Sequence, residues 1–109
     1  MPTATSLEAL LSTGHDSAVL RFSLGDLYLR ENNPDKAVEH LSKAVELDVD
    51  YSAAWKLYGK SLVASGRLAK ARETYTTGIA VAQRKGDKQA EKEMRVFLKR
   101  VEKSLAAGS

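Results

Sequence analysis

The sequence predicts an all-α fold of about six antiparallel helices in a single domain. Ala, Leu, Lys, Glu and Arg recur along the chain at helical spacing, and β-branched runs with strand-like alternation do not occur. The sequence has only two prolines, Pro2 and Pro34. Because 109 residues with 43% hydrophobic composition suffice for one core and not two, residues 1–109 are predicted to form one domain.

End signals place the individual helices. Thr5 and Glu8 have the spacing of a capping box, which predicts a short first helix that ends at Gly14. Asn33 and Pro34 supply an N-cap and a first-turn proline for the third helix. The six predicted helices cover approximately residues 5–14, 16–31, 33–48, 50–66, 68–85 and 87–106. Because the turns between them are short, neighbouring helices must run antiparallel.

Two parts of the chain align with each other at a shift of 34 residues. The second copy fills the pattern W-x2-L-G-x2-Y…A-x3-F with Trp55, Tyr58, Gly59, Leu62, Ala71 and Tyr75. The first copy fills the same places with Arg21, Leu24, Gly25, Tyr28, Ala37 and Leu41. This period and this pattern resemble the tetratricopeptide repeat, a helix–turn–helix unit of the same length.

The resemblance implies a right-handed solenoid made of two repeats, residues 18–51 and 52–85. Since two such repeats alone are marginally stable, residues 5–14 and 87–106 are expected to form N-terminal and C-terminal capping helices. In the C-terminal cap, four apolar residues reproduce the spacing of the repeat: Met94, Phe97, Leu98 and Val101. Met94 follows Trp55 by 39 residues instead of 34, so this cap is predicted to follow a lengthened helix and turn.

The sequence carries no recognisable reaction chemistry. There is no cysteine, which excludes disulfides, thiolate catalysis and thiolate metal sites. His15 is expected to be a solvated turn residue, and His40 a surface or half-buried helix residue. Neither a phosphate-binding glycine loop nor a nucleophile elbow occurs. The prediction is a protein that is not an enzyme and that has no catalytic residues, no metal and no cofactor.

The N-terminal segment shows no targeting pattern. Residues 1–14 contain no Lys or Arg, and their longest apolar run covers only residues 9–11. Such a segment fits neither a signal peptide nor a membrane span. We therefore expect a cytoplasmic protein that has no membrane partner.

Charge is distributed unevenly along the chain. Residues 1–50 carry a balance of −5 and residues 51–109 one of +8, so the net charge of +3 hides a dipolar molecule. In the last predicted helix basic residues recur every three or four positions: Lys88, Lys92, Arg95, Lys99 and Lys103. This stripe is either part of a binding surface or the solvated face that a capping helix requires.

The resemblance also implies a concave groove lined by the first helix of each repeat. Its predicted lining residues in the two repeats are Phe22, Asp26, Leu29, Lys56, Lys60 and Val63. In the shifted register the last helix adds Lys92, Arg95 and Lys99. The groove would then have an apolar end and a cationic end, which predicts an extended acidic segment or a terminal carboxylate as its ligand.

One subgroup of the family holds the C-terminal carboxylate of chaperones in a clamp of Lys, Asn and Arg side chains. At the clamp positions this sequence has residues that do not fit: Phe22, Asp26, Leu57, Asp87 and Glu91. In the shifted register the last two become Lys92 and Val96, so that one position in five matches. The sequence therefore argues against chaperone-tail clamping in its usual form.

Two classes of function fit the sequence. The favoured one is an adaptor that binds a protein or peptide segment, with an acidic segment as the specific hypothesis. The alternative is a nucleic-acid-associated protein that uses the basic last helix, in keeping with an isoelectric point near 9.2. Acidic residues interleaved in that helix weaken the alternative. For the assembly state we expect a monomer or a weak homodimer, in which acidic and basic halves would pair head to tail.

Overall fold

The chain folds into six α-helices, and the computed structural model describes residues 3–108. The helices are α1 Ala4–Ser12, α2 Ala18–Arg30, α3 Pro34–Leu47, α4 Ser52–Ala64, α5 Leu68–Lys85 and α6 Lys88–Ala107. Over residues 3–108 no β-strand occurs and each helix packs against the next, so the predicted all-α class is confirmed. Residues 1, 2 and 109, which also belong to the predicted domain, lie outside the described residues.

The helices form two layers of unequal spacing. α4 contacts both α2 and α6, so these three helices make one continuous layer. α3 and α5 lie in the other layer, and within the described part of the chain no Cα atom of one lies within 8 Å of a Cα atom of the other. A stack with one close layer and one splayed layer curves toward the close layer. The concave side is therefore the side of α2, α4 and α6.

Residues in the left-handed region end four of the helices. Gly14, Asn32, Gly66 and Gly86 have φ values of +86°, +64°, +79° and +73°. In each case the next residue donates its N–H to a carbonyl five positions earlier, as Arg67 does to Leu62 at 2.8 Å. This Schellman-type pairing saturates the last carbonyls and reverses the chain within a few residues. The following helix consequently runs back along the one before it.

The first helix begins earlier than the sequence predicts. Thr3 is its N-cap: the Thr3 hydroxyl accepts from the N–H of Ser6 at 3.1 Å, and the Ser6 hydroxyl accepts from the N–H of Thr3 at 2.9 Å. The predicted capping box of Thr5 and Glu8 is therefore wrong. Thr3 and Ser6 have the same spacing as that pair, and the Glu8 carboxylate is engaged elsewhere.

Glu8 attaches α1 to the first repeat. Its Oε1 accepts from the hydroxyl of Tyr28 at 2.9 Å and from Nε2 of His40 at 2.8 Å. On the other side of the imidazole, Arg21 donates to Nδ1 of His40 at 3.0 Å. Because a guanidinium can only donate, Nδ1 must accept and the ring proton lies on Nε2. His40 is only 5% exposed, so its predicted placement at or near the surface is wrong.

Glycines in the middle of α2 and α4 let the two helices of each repeat approach closely. A Cβ on Gly25 would lie 2.4 Å from Cγ of Leu41, and one on Gly59 would lie 2.2 Å from Cε1 of Tyr75. Both distances are shorter than any carbon–carbon contact allows. The aligned glycines therefore have the same role in both repeats, namely to leave room for the side chain of the second helix.

α6 closes the second repeat through Met94. The side chain of Met94 is fully buried, and its Sδ lies 2.6 Å from where a Cβ of Gly78 would be. Phe97, Leu98 and Leu105 are partly buried against the same core. The apolar stripe of α6 thus covers α5, in keeping with the predicted capping role of the last helix.

Candidate functional site

The nine predicted groove residues lie on the three helices of the concave layer. α2 and α4 carry six of them: Phe22, Asp26, Leu29, Lys56, Lys60 and Val63. α6 carries the other three: Lys92, Arg95 and Lys99. The folded chain therefore brings together residues that are up to 77 positions apart in the sequence, although their individual environments differ.

The α2 end of the concave layer is largely apolar. Phe22 stacks on Tyr51 with ring centroids 5.1 Å apart and an angle of 26° between the ring planes. Leu29 is partly buried against the core. The carboxylate of Asp26 lies 3.1 Å from the guanidinium of Arg30, one turn later on α2. Because this acid is neutralised locally, the α2 end offers mainly an aromatic surface.

Two of the predicted cations are already paired with acids of α6. Nζ of Lys56 lies 3.3 Å from Oε1 of Glu93, and the guanidinium of Arg95 lies 3.0 Å from Oε2 of Glu91. Lys56 is half-buried as well. The charges of Lys56 and Arg95 are therefore compensated within the chain, and these two residues attract an acidic ligand less than free cations would.

A cleft opens between α4 and α6, and we refer to it as the Phe97 cleft. Its volume is about 260 Å³, and its lining residues are Lys60, Val63, Leu68, Tyr75, Phe97, Arg100, Val101 and Ser104. Nζ of Lys60 lies 5.8 Å from the centroid of the Phe97 ring, and Cζ of Arg100 lies 5.9 Å from it. The cleft is thus an apolar depression with two cations beside its aromatic floor.

Four cations of the predicted groove and the Phe97 cleft are exposed and uncompensated. They are Lys60, Lys92, Lys99 and Arg100. None of the four has an ion-pair partner among residues 3–108, in contrast to Lys56 and Arg95. Because these cations are exposed on neighbouring helices, their positive fields add on this side of the molecule.

Tyr75 contributes an unused hydroxyl to the wall of the cleft. The residue is only 1% exposed, and its ring lies 5.9 Å from that of Phe97. In the described part of the chain its hydroxyl has no protein hydrogen-bond partner, and the hydroxyl oxygen reaches solvent, because no fully buried side-chain oxygen or nitrogen there is unpartnered. Burial raises the pKa of this hydroxyl well above its usual value. The group therefore keeps its proton near neutral pH and can donate a hydrogen bond to a ligand.

The convex side carries a second crevice, between α3 and α5. It has a volume of about 330 Å³, with Trp55 and Tyr58 of α4 among its lining residues. Glu46, Glu73 and Lys70 also line it, so that both signs of charge are present. Over residues 3–108, no three His, Asp or Glu side chains are grouped as a metal site would need, and none of the helices could cross a membrane.

Six of the eight residues that line the Phe97 cleft are missing from the predicted set, among them Tyr75, Phe97 and Arg100. The repeat pattern assigns Tyr75 and Phe97 to the core, and both do pack on it. A core position at the edge of a helical layer can, however, also line a surface cleft. Arg100 lies three residues after Phe97 and therefore on the same helix face. That spacing is the signal by which the sequence could have identified it.

Comparison with known proteins places these features in a wider context. Residues 22–87 match the profile of the tetratricopeptide repeat. Over 98 residues the chain is 50% identical to a TPR repeat-containing protein of Pseudomonas aeruginosa. The aligned region covers 90% of this chain and 93% of that protein. The solution structure of a Bordetella parapertussis protein is similar with a TM-score of 0.82, 41% identity, and coverage of 98% and 93%. A tetratricopeptide repeat domain protein from Salinibacter ruber gives a TM-score of 0.73, 26% identity, and coverage of 80% and 88%.

Proposed function

Because the chain belongs to the tetratricopeptide repeat family, we propose that it is an adaptor whose concave groove binds an acidic segment of another protein. The tetratricopeptide fold generally mediates protein–protein interaction, and members of the family typically act without catalysis. Stacked helices present an extended surface, along which a bound segment can contact several helices at once.

The observation that supports an acidic ligand is the set of four uncompensated cations of the predicted groove and the Phe97 cleft. Lys60 comes from α4, and Lys92, Lys99 and Arg100 come from α6. Ammonium and guanidinium groups make strong charge-assisted hydrogen bonds with carboxylates. Charge complementarity of this kind also accelerates encounter and orients the partner. An acidic segment would therefore be drawn to α4 and α6 and could extend toward the Phe22–Tyr51 stack.

Fluorescence anisotropy with a labelled acidic peptide tests this proposal. We expect the wild-type protein to bind a Glu-rich peptide more tightly than the same peptide with Gln at every Glu. The double variant Lys60→Glu with Lys99→Glu should weaken binding by about tenfold, because it replaces two attractive contacts with repulsive ones. Equal binding of the Glu-rich and Gln-rich peptides would contradict the acidic ligand.

A matched control separates the groove from the net charge of the protein. Lys70 and Arg72 lie on α5, outside the concave layer, and both are exposed. The double variant Lys70→Glu with Arg72→Glu changes the net charge by the same amount and should change the affinity less than about twofold, because salt screens distant charges. If both double variants weaken binding equally, the groove is not the binding surface.

A labelled oligonucleotide serves as the comparison for the nucleic-acid alternative. Binding to phosphates weakens steeply and linearly on a log–log plot of affinity against salt concentration. We expect the oligonucleotide to bind more weakly than the acidic peptide at physiological salt. Tighter binding of the oligonucleotide with such a slope would favour the alternative over the adaptor.

A further inference from the structure

We propose that the Phe97 cleft receives an aliphatic side chain of the bound segment, while the carboxylate of a neighbouring Glu or Asp lies between Lys60 and Arg100. This inference rests on the proposed function, because it specifies the ligand chemistry of the same groove. It adds that the groove selects a pair of residues, one aliphatic and one acidic, and not negative charge alone.

The lining of the cleft fits an aliphatic side chain. Its floor is the ring of Phe97, and its walls include Val63 and Leu68. Val63 is 38% exposed, so part of its side chain is open to contact with a ligand. A volume of about 260 Å³ can hold one branched apolar side chain together with atoms of the adjoining peptide units. Filling the cleft would remove apolar surface of both molecules from water.

The two cations set the distance between the aliphatic group and the acid. Lys60 reaches the Phe97 ring from α4, and Arg100 reaches it from α6. Both charged groups lie within 6 Å of the ring centroid. We therefore expect a carboxylate that contacts these cations to lie beside the group that covers the ring. An acidic residue next to the aliphatic one in sequence meets this requirement.

Tyr75 supplies a hydrogen-bonding group among the residues that line the cleft. The residue is only 1% exposed and its hydroxyl makes no hydrogen bond within residues 3–108, but the hydroxyl oxygen reaches solvent, because no fully buried side-chain oxygen or nitrogen there is without a partner. The hydroxyl can exchange a hydrogen bond with water for one to a bound carboxylate or carbonyl oxygen. The same position of the first repeat carries Leu41, which has no hydroxyl.

The distribution of cations favours a side-chain carboxylate within a segment over the carboxylate at the end of a chain. A chain end brings one terminal carboxylate to the cleft. Lys92 and Lys99 are also uncompensated on α6, beyond the pair at the ring. Several acids spaced along an internal segment can pair with several of these cations, whereas one terminal carboxylate would leave most of them without a partner.

The probe for this proposal is the blocked peptide acetyl-Gly-Glu-Leu-Glu-Gly-amide, titrated into the 15N-labelled and side-chain-labelled protein. Three further peptides isolate its parts: one with Gln for both Glu, one with Gly for Leu, and acetyl-Gly-Gly-Leu with a free carboxylate. We expect the first peptide to shift the signals of Phe97, Val63 and Ser104 most strongly. Replacing Leu by Gly should weaken binding by about tenfold, because the aliphatic contact is lost.

Three variants test the protein side of the contact. Lys60→Ala and Arg100→Ala should each weaken binding of the blocked peptide by about fivefold. Tyr75→Phe removes only the hydroxyl and should weaken binding by about tenfold, while the melting temperature stays equal to or above that of the wild type. If the Tyr75 hydroxyl were purely structural, Tyr75→Phe would leave the affinity unchanged and lower the melting temperature. Lys70→Ala on α5 is the matched control and should leave the affinity unchanged.

The outcomes separate this inference from the proposed function. If the Leu-to-Gly peptide binds as tightly as the blocked peptide, or if Tyr75→Phe does not change the affinity, the cleft is not the subsite. The proposal of an acidic segment in the groove is then unaffected. If the free-carboxylate peptide binds more tightly than the blocked one, the groove recognises a chain end, and the proposal of an internal segment is wrong. If no Glu-containing peptide binds at all, both proposals fail.

Discussion

At the scale of single residues, the size of a side chain is set by what faces it on the neighbouring helix. Gly59 is opposite Tyr75, Gly25 is opposite Leu41, and Gly78 accommodates Met94. In each pair a glycine in mid-helix, where it costs helical stability, admits a large buried side chain. The glycines of the repeat pattern therefore mark the positions at which neighbouring helices approach each other closely.

Gly59→Ala tests this interpretation. The added Cβ would lie 2.2 Å from the buried Tyr75 ring, so we expect the free energy of unfolding to fall. The expected loss is about 1–3 kcal/mol from overpacking, reduced by the higher helix propensity of Ala. Urea unfolding followed by circular dichroism measures it.

Gly108→Ala is the control for that experiment. The nearest atom to a Cβ at Gly108 is 3.5 Å away, which is an ordinary contact, and its φ of −85° suits any residue. Its midpoint of unfolding should not change. If Gly59→Ala were as stable as the wild type, the Tyr75 ring would have to move without cost, and the close approach would not be required.

At the scale of elements, the sequence predicts a helix best where its end signals are strong. α3 begins at Pro34 after the N-cap Asn33, and α5 ends at Lys85 before Gly86, as predicted. α1 was harder to place because Thr3 and Thr5 each precede a suitable capping partner by three residues. Local spacing cannot decide between them, since the choice depends on Glu8 reaching Tyr28 and His40 across the fold.

The attachment of α1 leads to a prediction about Glu8. In Glu8→Leu the hydroxyl of Tyr28 and Nε2–H of His40 lose their acceptor beneath α1, and unfolding should become easier by about 1–3 kcal/mol. Amide hydrogen exchange in α1 should accelerate more than exchange in α5. Thr5→Ala is the control on the same helix and should leave exchange in α1 slow, because the cap is at Thr3. Unchanged exchange in Glu8→Leu would show that apolar contacts alone hold α1.

The start of α6 leads to a prediction about pH. The pKa of Asp87 is lowered, first by the hydrogen bond from the Ser52 hydroxyl at 2.6 Å and then by the N–H of Ala90. Because the pKa is lower in the folded state, Asp87 stabilises the fold above its unfolded pKa, and this contribution is lost as the pH falls through the folded pKa. Ser52→Ala should cost about 1 kcal/mol at pH 7 and less as Asp87 becomes protonated.

Urea unfolding at a series of pH values between neutral and acidic measures this effect. Ser17→Ala is the matched control, because its hydroxyl caps α2 by accepting from the N–H of Leu20 and contacts no carboxylate. The loss of unfolding free energy in Ser17→Ala should be independent of pH. A cost of Ser52→Ala that is also the same at every pH would contradict the assigned role of Asp87.

At the scale of the whole molecule, the sequence predicts which helices line the concave side but not which charges are free. The pairing of Lys56 with Glu93 joins residues 37 positions apart, and the cation pair at Phe97 joins α4 with α6. Such contacts depend on the distance between stacked helices, which no local pattern encodes. The nine predicted groove residues lie on α2, α4 and α6, and their role in binding stays a prediction, whereas the Phe97 cleft could be found only in the folded structure.

The assembly state is also a property of the whole molecule. Leu98 lies four residues after Met94, as Gly59 lies four residues after Trp55, so it occupies the place of the repeat glycine. A Leu there blocks the close approach that Gly25 and Gly59 permit. A second copy cannot continue the stack in the repeat register, and we expect a monomer in sedimentation equilibrium at micromolar concentration. A dimer that dissociates in salt would instead support head-to-tail pairing of the acidic and basic halves.

The most direct test of an acidic segment in the concave groove is paramagnetic broadening by a spin-labelled peptide. The blocked Glu-Leu-Glu peptide would carry one nitroxide on an added terminal cysteine, and the protein has no cysteine that could exchange with it. We predict that amide signals of α4 and α6 facing the Phe97 cleft broaden most, that α3 is unaffected, and that reduction of the nitroxide restores the signals. Broadening centred on α3 or on the crevice between α3 and α5 would contradict the account.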